Sequence, residues 1–162
     1  MVTNYLSPVS FKIIIDRIPK VEFFTQRVNL PQLSMGAPTM PSPTLNLYQT
    51  PDRIEYSDLD LSFIVDENMS NYQEILQWME GMGNPQTTDQ RKNLDASKYG
   101  ATSEISIIIE NSSRNSNLKF TFTDCFPTAL SGVSLDVTAD DIIYPECNVT
   151  FRYTNMTFEK IS

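Results

Sequence analysis

The sequence predicts an α+β domain dominated by antiparallel sheet, and three observations lead there. Segments rich in β-branched and aromatic residues alternate with polar positions along most of the chain. One stretch alone carries a helical repeat, and a proline-rich segment around residue 40 fits neither pattern. At 162 residues the chain is the size of one domain and long enough to bury a real core, so 1–162 reads as a single unit.

Phe11, Ile13 and Ile15 alternate with more polar neighbours, which predicts a strand. Pro19-Lys20 breaks the pattern and Val21 to Leu30 resumes it, so the two segments read as a hairpin around a short turn. Ile14 and Phe24 make the second face apolar as well, as expected of a strand covered on both sides or met by a partner chain.

Five of the ten prolines fall between Pro31 and Pro51. Proline donates nothing to a ladder and holds its predecessor extended, so 31–58 reads as a long arm with only a short strand-like run, Thr44 to Tyr48. The arm carries Leu33, Met35 and Met40, which lie either on a neighbouring subunit or back on the arm's own core.

Leu59, Leu61, Phe63 and Val65 then define a strand with one strongly apolar face. Ser70 with Gln73 three residues on reads as a capping box, and Tyr72, Ile75, Leu76 and Met79 follow at helical spacing. This predicts one helix over about 70–80, stopped by Gly81, Gly83 and Pro85. The segment 84–103 is polar and aperiodic, and reads as a mobile insertion. Four more strands are predicted at 104–110, 118–123, 133–138 and 149–153, with a loop over 124–131.

Composition removes whole classes of function. There is no histidine, so the usual general base near neutral pH and the commonest zinc ligand are both missing. The carboxylate pairs Asp66-Glu67, Asp140-Asp141 and Asp58 with Asp60 remain; Asp66 and Glu67, adjacent at a strand end, would point to opposite faces and not converge on one bond, and strand-end solvation or helix N-terminal charge is the expected role of such groups. No catalytic residue, metal site or cofactor is expected. A net charge of −8 with scattered Lys and Arg argues against a phosphate-gripping surface. Cys125 and Cys147 are expected as buried thiols of a reducing compartment. The chain has no apolar run of about 18 residues and no leader-like start, so a soluble protein made in a cytoplasm is expected, with no membrane partner.

The strand-then-helix stretch from Leu61 through Val65-Asp66-Glu67 to Trp78-Met79 resembles the tail completion, or tail-tube terminator, proteins of T-even-like contractile-tailed phages. Val28-Asn29-Leu30-Pro31, Phe126-Pro127-Thr128-Ala129-Leu130-Ser131 and Val149-Thr150-Phe151-Arg152-Tyr153 agree in order, so the resemblance spans nearly the whole chain. Segment 84–103 departs from it. The resemblance implies an antiparallel β-sandwich or barrel of tail-tube type, with the sheets of six copies joined into a ring that ends the tube near the head. Its implied partners are itself as a homohexamer, the tail tube protein and a neck or sheath-terminator protein. Genomic DNA would pass through the lumen without specific binding, held off by acidic charge. The implied location is the virion tail, assembled in the host cytoplasm. Tube subunit or baseplate tube initiator is the alternative role.

A ring of this kind predicts subunit contacts on the arm at Pro31, Leu33, Met35, Met40, Pro41, Leu45, Leu47 and Tyr48. Further contacts are expected at Phe63 and Val65, at Phe126 and Pro127, and at Phe151 and Tyr153. Trp78 is either an interface anchor or a core residue under the sheet.

Overall fold

Isoleucine builds one wall of the molecule. In the computed structural model, which describes residues 5–6, 8–96, 100–138 and 140–161, β1 (Phe11–Ile15) pairs antiparallel with β8 (Ser103–Glu110), setting Ile13 opposite Ile107 and Ile15 opposite Ile105. β8 pairs in turn with the first half of β9 (Ser116–Leu130), and β11 (Asn155–Lys160) closes onto the same half from the other side. One face of this four-stranded sheet therefore carries apolar rows across the strands: Ile15, Ile105, Phe122 and Met156 in one, Ile13, Ile107, Phe120 and Phe158 in the next. The opposite face carries Lys12, Ile14, Ser106, Thr121 and Thr157.

β9 is long enough to serve two sheets. Asp124 turns through φ 55°, and the second half of β9 then pairs with β10 (Glu146–Arg152), which pairs with β7 (Leu59–Ile64), which pairs with β2 (Thr25–Asn29). The strand path is β1-β8-β9-β10-β7-β2 with β11 branching from β9, and it is antiparallel throughout. The α+β, mainly antiparallel expectation holds. Among the described residues the path does not close into a barrel.

Leu59, Leu61, Phe63, Val149 and Phe151 from the second sheet meet the isoleucine wall in one core. α1 (Pro19–Phe24), α2 (Ser70–Gly83) and α3 (Thr88–Ala96) add Val21, Ile75, Trp78 and Leu94 to it. Trp78 is an internal clamp: its indole N–H donates to the Ala101 carbonyl at 2.8 Å, and its ring lies 6.0 Å from Phe151 and 4.9 Å under the Arg17 guanidinium. Cys125 and Cys147 are free and buried, and burial pushes the Cys125 thiol up to about 12.

Several local expectations are corrected. The hairpin over 11–30 is absent: Pro19 starts a helix, where its missing N–H costs nothing, and β1 and β2 lie at opposite ends of the strand path. Among the described residues there are three helices rather than one: α1 starts at Pro19, and α3 forms where Leu94 gives the polar segment 84–103 one apolar anchor against the core. The Ser70–Gln73 capping box does not form. Met69 takes the left-handed conformation at the N-cap, the Ser70 hydroxyl donates to the Asp66 carboxylate, and buried Asn71 ties Ile64 to the helix start. Residues 124–130 continue β9 instead of looping, and the strand expected at 133–138 is irregular chain.

Candidate assembly surface

The proline-rich arm is a β-ribbon. β3 (Leu33–Met35) pairs with β6 (Ile54–Tyr56) in the same register that joins β2 to β7, and β4 (Thr39–Met40) pairs with β5 (Leu47–Tyr48) two residues out of step. Residues 25–64 thus form one long hairpin, rooted in the second sheet and tipped at 41–46. Pro41 and Pro43 sit in the tip, where no ladder donor is needed. The root is clasped by the Arg152–Asp58 ion pair at 2.9 Å, by Tyr56 donating to the Asn155 side chain and by the Tyr56–Tyr153 ring contact.

Beyond the root the ribbon touches nothing of its own core. Leu33, Met35, Met40, Leu45, Leu47 and Ile54 are each about half exposed or more, and Tyr48 is 76% exposed. Pro41 is exposed and Pro31 half-buried. The expectation that the arm folds back on its own chain is excluded. No residue from Val28 to Pro51 is charged.

The other predicted contact residues lie elsewhere. Phe63, Val65, Trp78, Phe151 and Tyr153 are buried in the core, Pro127 is buried within β9, and Phe126 is half-buried. They are occupied by packing inside one chain. The carboxylates are structural too: Asp58 holds Arg152, Asp60 accepts from Thr150 at 2.7 Å, and Asp66 organises the start of α2.

Sequence reasoning missed a second exposed apolar surface. Between β9 and β10 the chain exposes Leu135, Val137, Ile142, Ile143 and Tyr144, with Val137 and Ile142 at 102% and 90% exposure. Asp136, Asp140 and Asp141 are interspersed among them, and Glu146 follows. Two signals marked it: the run Ile142-Ile143-Tyr144 has no alternation, and it directly follows two aspartates. The segment is held to the end of β7 by Val65 N–H donating to Pro145 at 2.9 Å. Between it and the start of α2 lies a cleft of about 790 Å³, lined by Phe24, Val65, Met69, Val133, Leu135 and Tyr144, with Asp66 and Glu67 at hand. The arm leaves β2/β7 at the Asn29–Asp60 end, whereas the cleft sits at the Thr25–Phe63 end, beside the Glu146–Ile64 pair. The two surfaces project from opposite ends of one sheet.

Both edges of the four-stranded sheet are open as well. Among the described residues β1 pairs only with β8 and β11 only with β9, and the apolar row ends at Phe158, 57% exposed.

Comparison with known proteins places this geometry. The chain superposes on a chain of the six-fold symmetrised anti-feeding prophage baseplate with a TM-score of 0.66, at 14% identity over 98% of this chain and 97% of that one. A chain of the tube-terminating cap of the same prophage gives 0.64 at 13% identity over 99% and 94%. A chain of the sheath-tube complex of an extracellular contractile injection system, in its extended state, gives 0.64 at 13% identity over 99% and 95%. At such identities the likeness is one of fold. No curated protein sequence matches significantly. The family profile described as phage tail tube protein matches residues 3–159, nearly the whole chain, and the chain belongs to that family.

Proposed function

We propose that this chain is a structural, non-catalytic subunit that closes into rings and stacks them into the tube of a contractile-type phage tail. The observation that carries the reading is the open four-stranded sheet. β1, β8, β9 and β11 alternate in direction, so β11 of one copy joins β1 of the next in antiparallel sense without any change of pattern. Head-to-tail joining of this kind either closes into a ring or grows as a helix, and closure leaves no edge exposed. The six-fold symmetry of the baseplate it resembles supports a hexamer.

In a closed ring the apolar sheet face turns outward against the second sheet, and the polar face lines the channel. That face carries Lys12 and Lys119 against Glu104, Glu110 and Glu159, two cations and three carboxylates, or about one negative charge per chain. The channel wall is then nearly neutral and rich in hydroxyl groups. Genomic DNA passes with little attraction, and the acidic surplus lies mainly elsewhere. The protein is assembled in the host cytoplasm and works in the virion tail.

A terminator at the head end, meeting a neck or sheath-terminator protein, is the second reading, favoured by the ordered sequence resemblance across the chain. The presence of an uncovered adhesive surface at both ends of one sheet favours the tube subunit, since a terminator needs one end that does not accept another copy. Negative-stain imaging of the purified chain separates them. Stacked rings or tubes are expected, single rings would assign the terminator role, and dispersed monomers at high concentration would overturn both.

A further inference from the structure

We infer that Met35 and Met40 form a reversible oxidation site: in the free chain a hydroperoxide converts their thioethers to sulfoxides, and an arm so modified no longer enters an assembly. The role rests on the tube reading above, in which the arm is an association surface. Of the described methionines, Met79, Met82 and Met156 are partly buried against the core, and Met69 lines the cleft beside α2. Met35 and Met40 are the most exposed, at 52% and 50%. The two ladders of the arm carry one each, Met35 opposite Ile54 and Met40 opposite Leu47. In segment 31–58 these two sulfurs are the readily oxidised groups, since it holds no cysteine, tryptophan or histidine. The thiols of Cys125 and Cys147 do not compete. Both are buried, and desolvation raises them, which withholds the reactive thiolate.

In the forward step the sulfur attacks the terminal oxygen of the hydroperoxide. The S–O bond forms as the O–O bond breaks, and the hydroperoxide proton passes to the displaced oxygen, which leaves as an alcohol, or as water from hydrogen peroxide. Sulfur gives up two electrons and the peroxide gains them. A dithiol reductant reverses the change, taking the oxygen off as water and becoming a disulfide. Neither step touches the ladders, because sulfur takes no part in backbone pairing. The effect falls on association instead. A thioether is an apolar, adaptable contact, whereas a sulfoxide is a strong acceptor that loses its water on burial against another copy. Leu33, Leu45 and Leu47 lie on the same arm without such chemistry, so the two sulfurs set its response to oxidant. Within an assembly they are covered, and the site responds only before the chain is built in.

The test exposes the dissociated full-length chain to hydrogen peroxide, removes the peroxide with catalase, and follows sulfoxides by peptide mass and assembly by imaging. Met35 and Met40 are expected to gain oxygen ahead of Met79, Met82 and Met156, with circular dichroism unchanged. The concentration needed for stacked rings should rise by on the order of tenfold, and methionine sulfoxide reductases with a dithiol should restore it. The paired substitution Met35→Leu with Met40→Leu, which nearly conserves volume, is expected to assemble equally well before and after peroxide. Wild-type assembly that is unchanged with both sulfurs oxidised would overturn the site, as would loss of assembly that the reductases do not reverse. A Leu variant as sensitive to peroxide as the wild type would place the damage elsewhere and overturn it too. Unoxidised chain that stays monomeric would overturn the tube reading itself, whereas assembly indifferent to oxidation overturns this site alone.

Discussion

The isoleucine wall and the arm are built from the same residue classes and end in opposite states. In the wall, Ile13, Ile105, Ile107 and Phe122 are at most 3% exposed because the chain supplies its own second layer. In the arm, Leu33, Met35, Met40 and Leu47 pair across strands just as regularly, yet no second layer exists. Strand pairing satisfies backbone groups in both. Only the wall also removes apolar surface from water within one chain, so the wall accounts for monomer stability, and in the proposed assembly the arm serves association.

That division can be broken or sharpened by mutation. Phe122→Ala removes a fully buried ring from the centre of the wall and is expected to cost about 3–5 kcal/mol in denaturant unfolding. A cost under 1 kcal/mol would mean that the wall is not what holds the monomer. Asn71→Ala comes next, at about 1–3 kcal/mol, because it strands the Asp66 and Tyr72 N–H groups and the Ile64 carbonyl at the junction of β7 and α2.

Alkaline pH should act on the core rather than on the arm. Burial raises the Cys125 thiol to about 12, against about 8.5 for the unfolded chain, so the stability it carries is complete below about pH 8.5 and is lost as pH rises towards 12. Tyr153, also raised to about 12 by desolvation, adds in the same direction. Unfolding midpoints that stay flat between pH 9 and 12 would contradict this. The smallest effect on stability belongs to the arm. Deleting 37–52 leaves Gly36-Arg53 as a two-residue turn beneath the Met35–Ile54 pair, and Leu47→Asp alters one exposed side chain. Both should leave monomer stability within about 1 kcal/mol while abolishing stacked assemblies in imaging. Loss of folding in the deletion would show that the arm belongs to the core after all.

The sequence revealed most clearly what period alone determines. The strands of Phe11, Ile13 and Ile15 and of Leu59, Leu61 and Phe63, the helix around Ile75, and the exposed arm all follow from spacing and proline placement. What it hid depends on tertiary context. Val21 to Phe24 have strand-forming composition but follow Pro19, which is preorganised for a helix start. α3 shows one apolar residue, Leu94, too few for a periodic signal. Trp78, Phe151 and Tyr153 are as large and aromatic as interface anchors, and only the fold shows that neighbours already enclose them. The alternation of Val133, Leu135 and Val137 predicts a strand at 133–138, within the exposed surface between β9 and β10. Among the described residues no strand pairs with it; Leu135 and Val137 stand in solvent, while Val133 packs against the core.

The claim beneath all of this is that other copies of the chain supply the arm's missing layer. Hydrogen exchange, measured on the arm amides of the assembled particle and of the dissociated chain, tests it directly. The account predicts that amides of residues 32–50 exchange within seconds in the dissociated chain and become protected by orders of magnitude on assembly, while the Ile105–Ile109 amides are slow in both. Arm amides that stay unprotected inside assembled particles would contradict it.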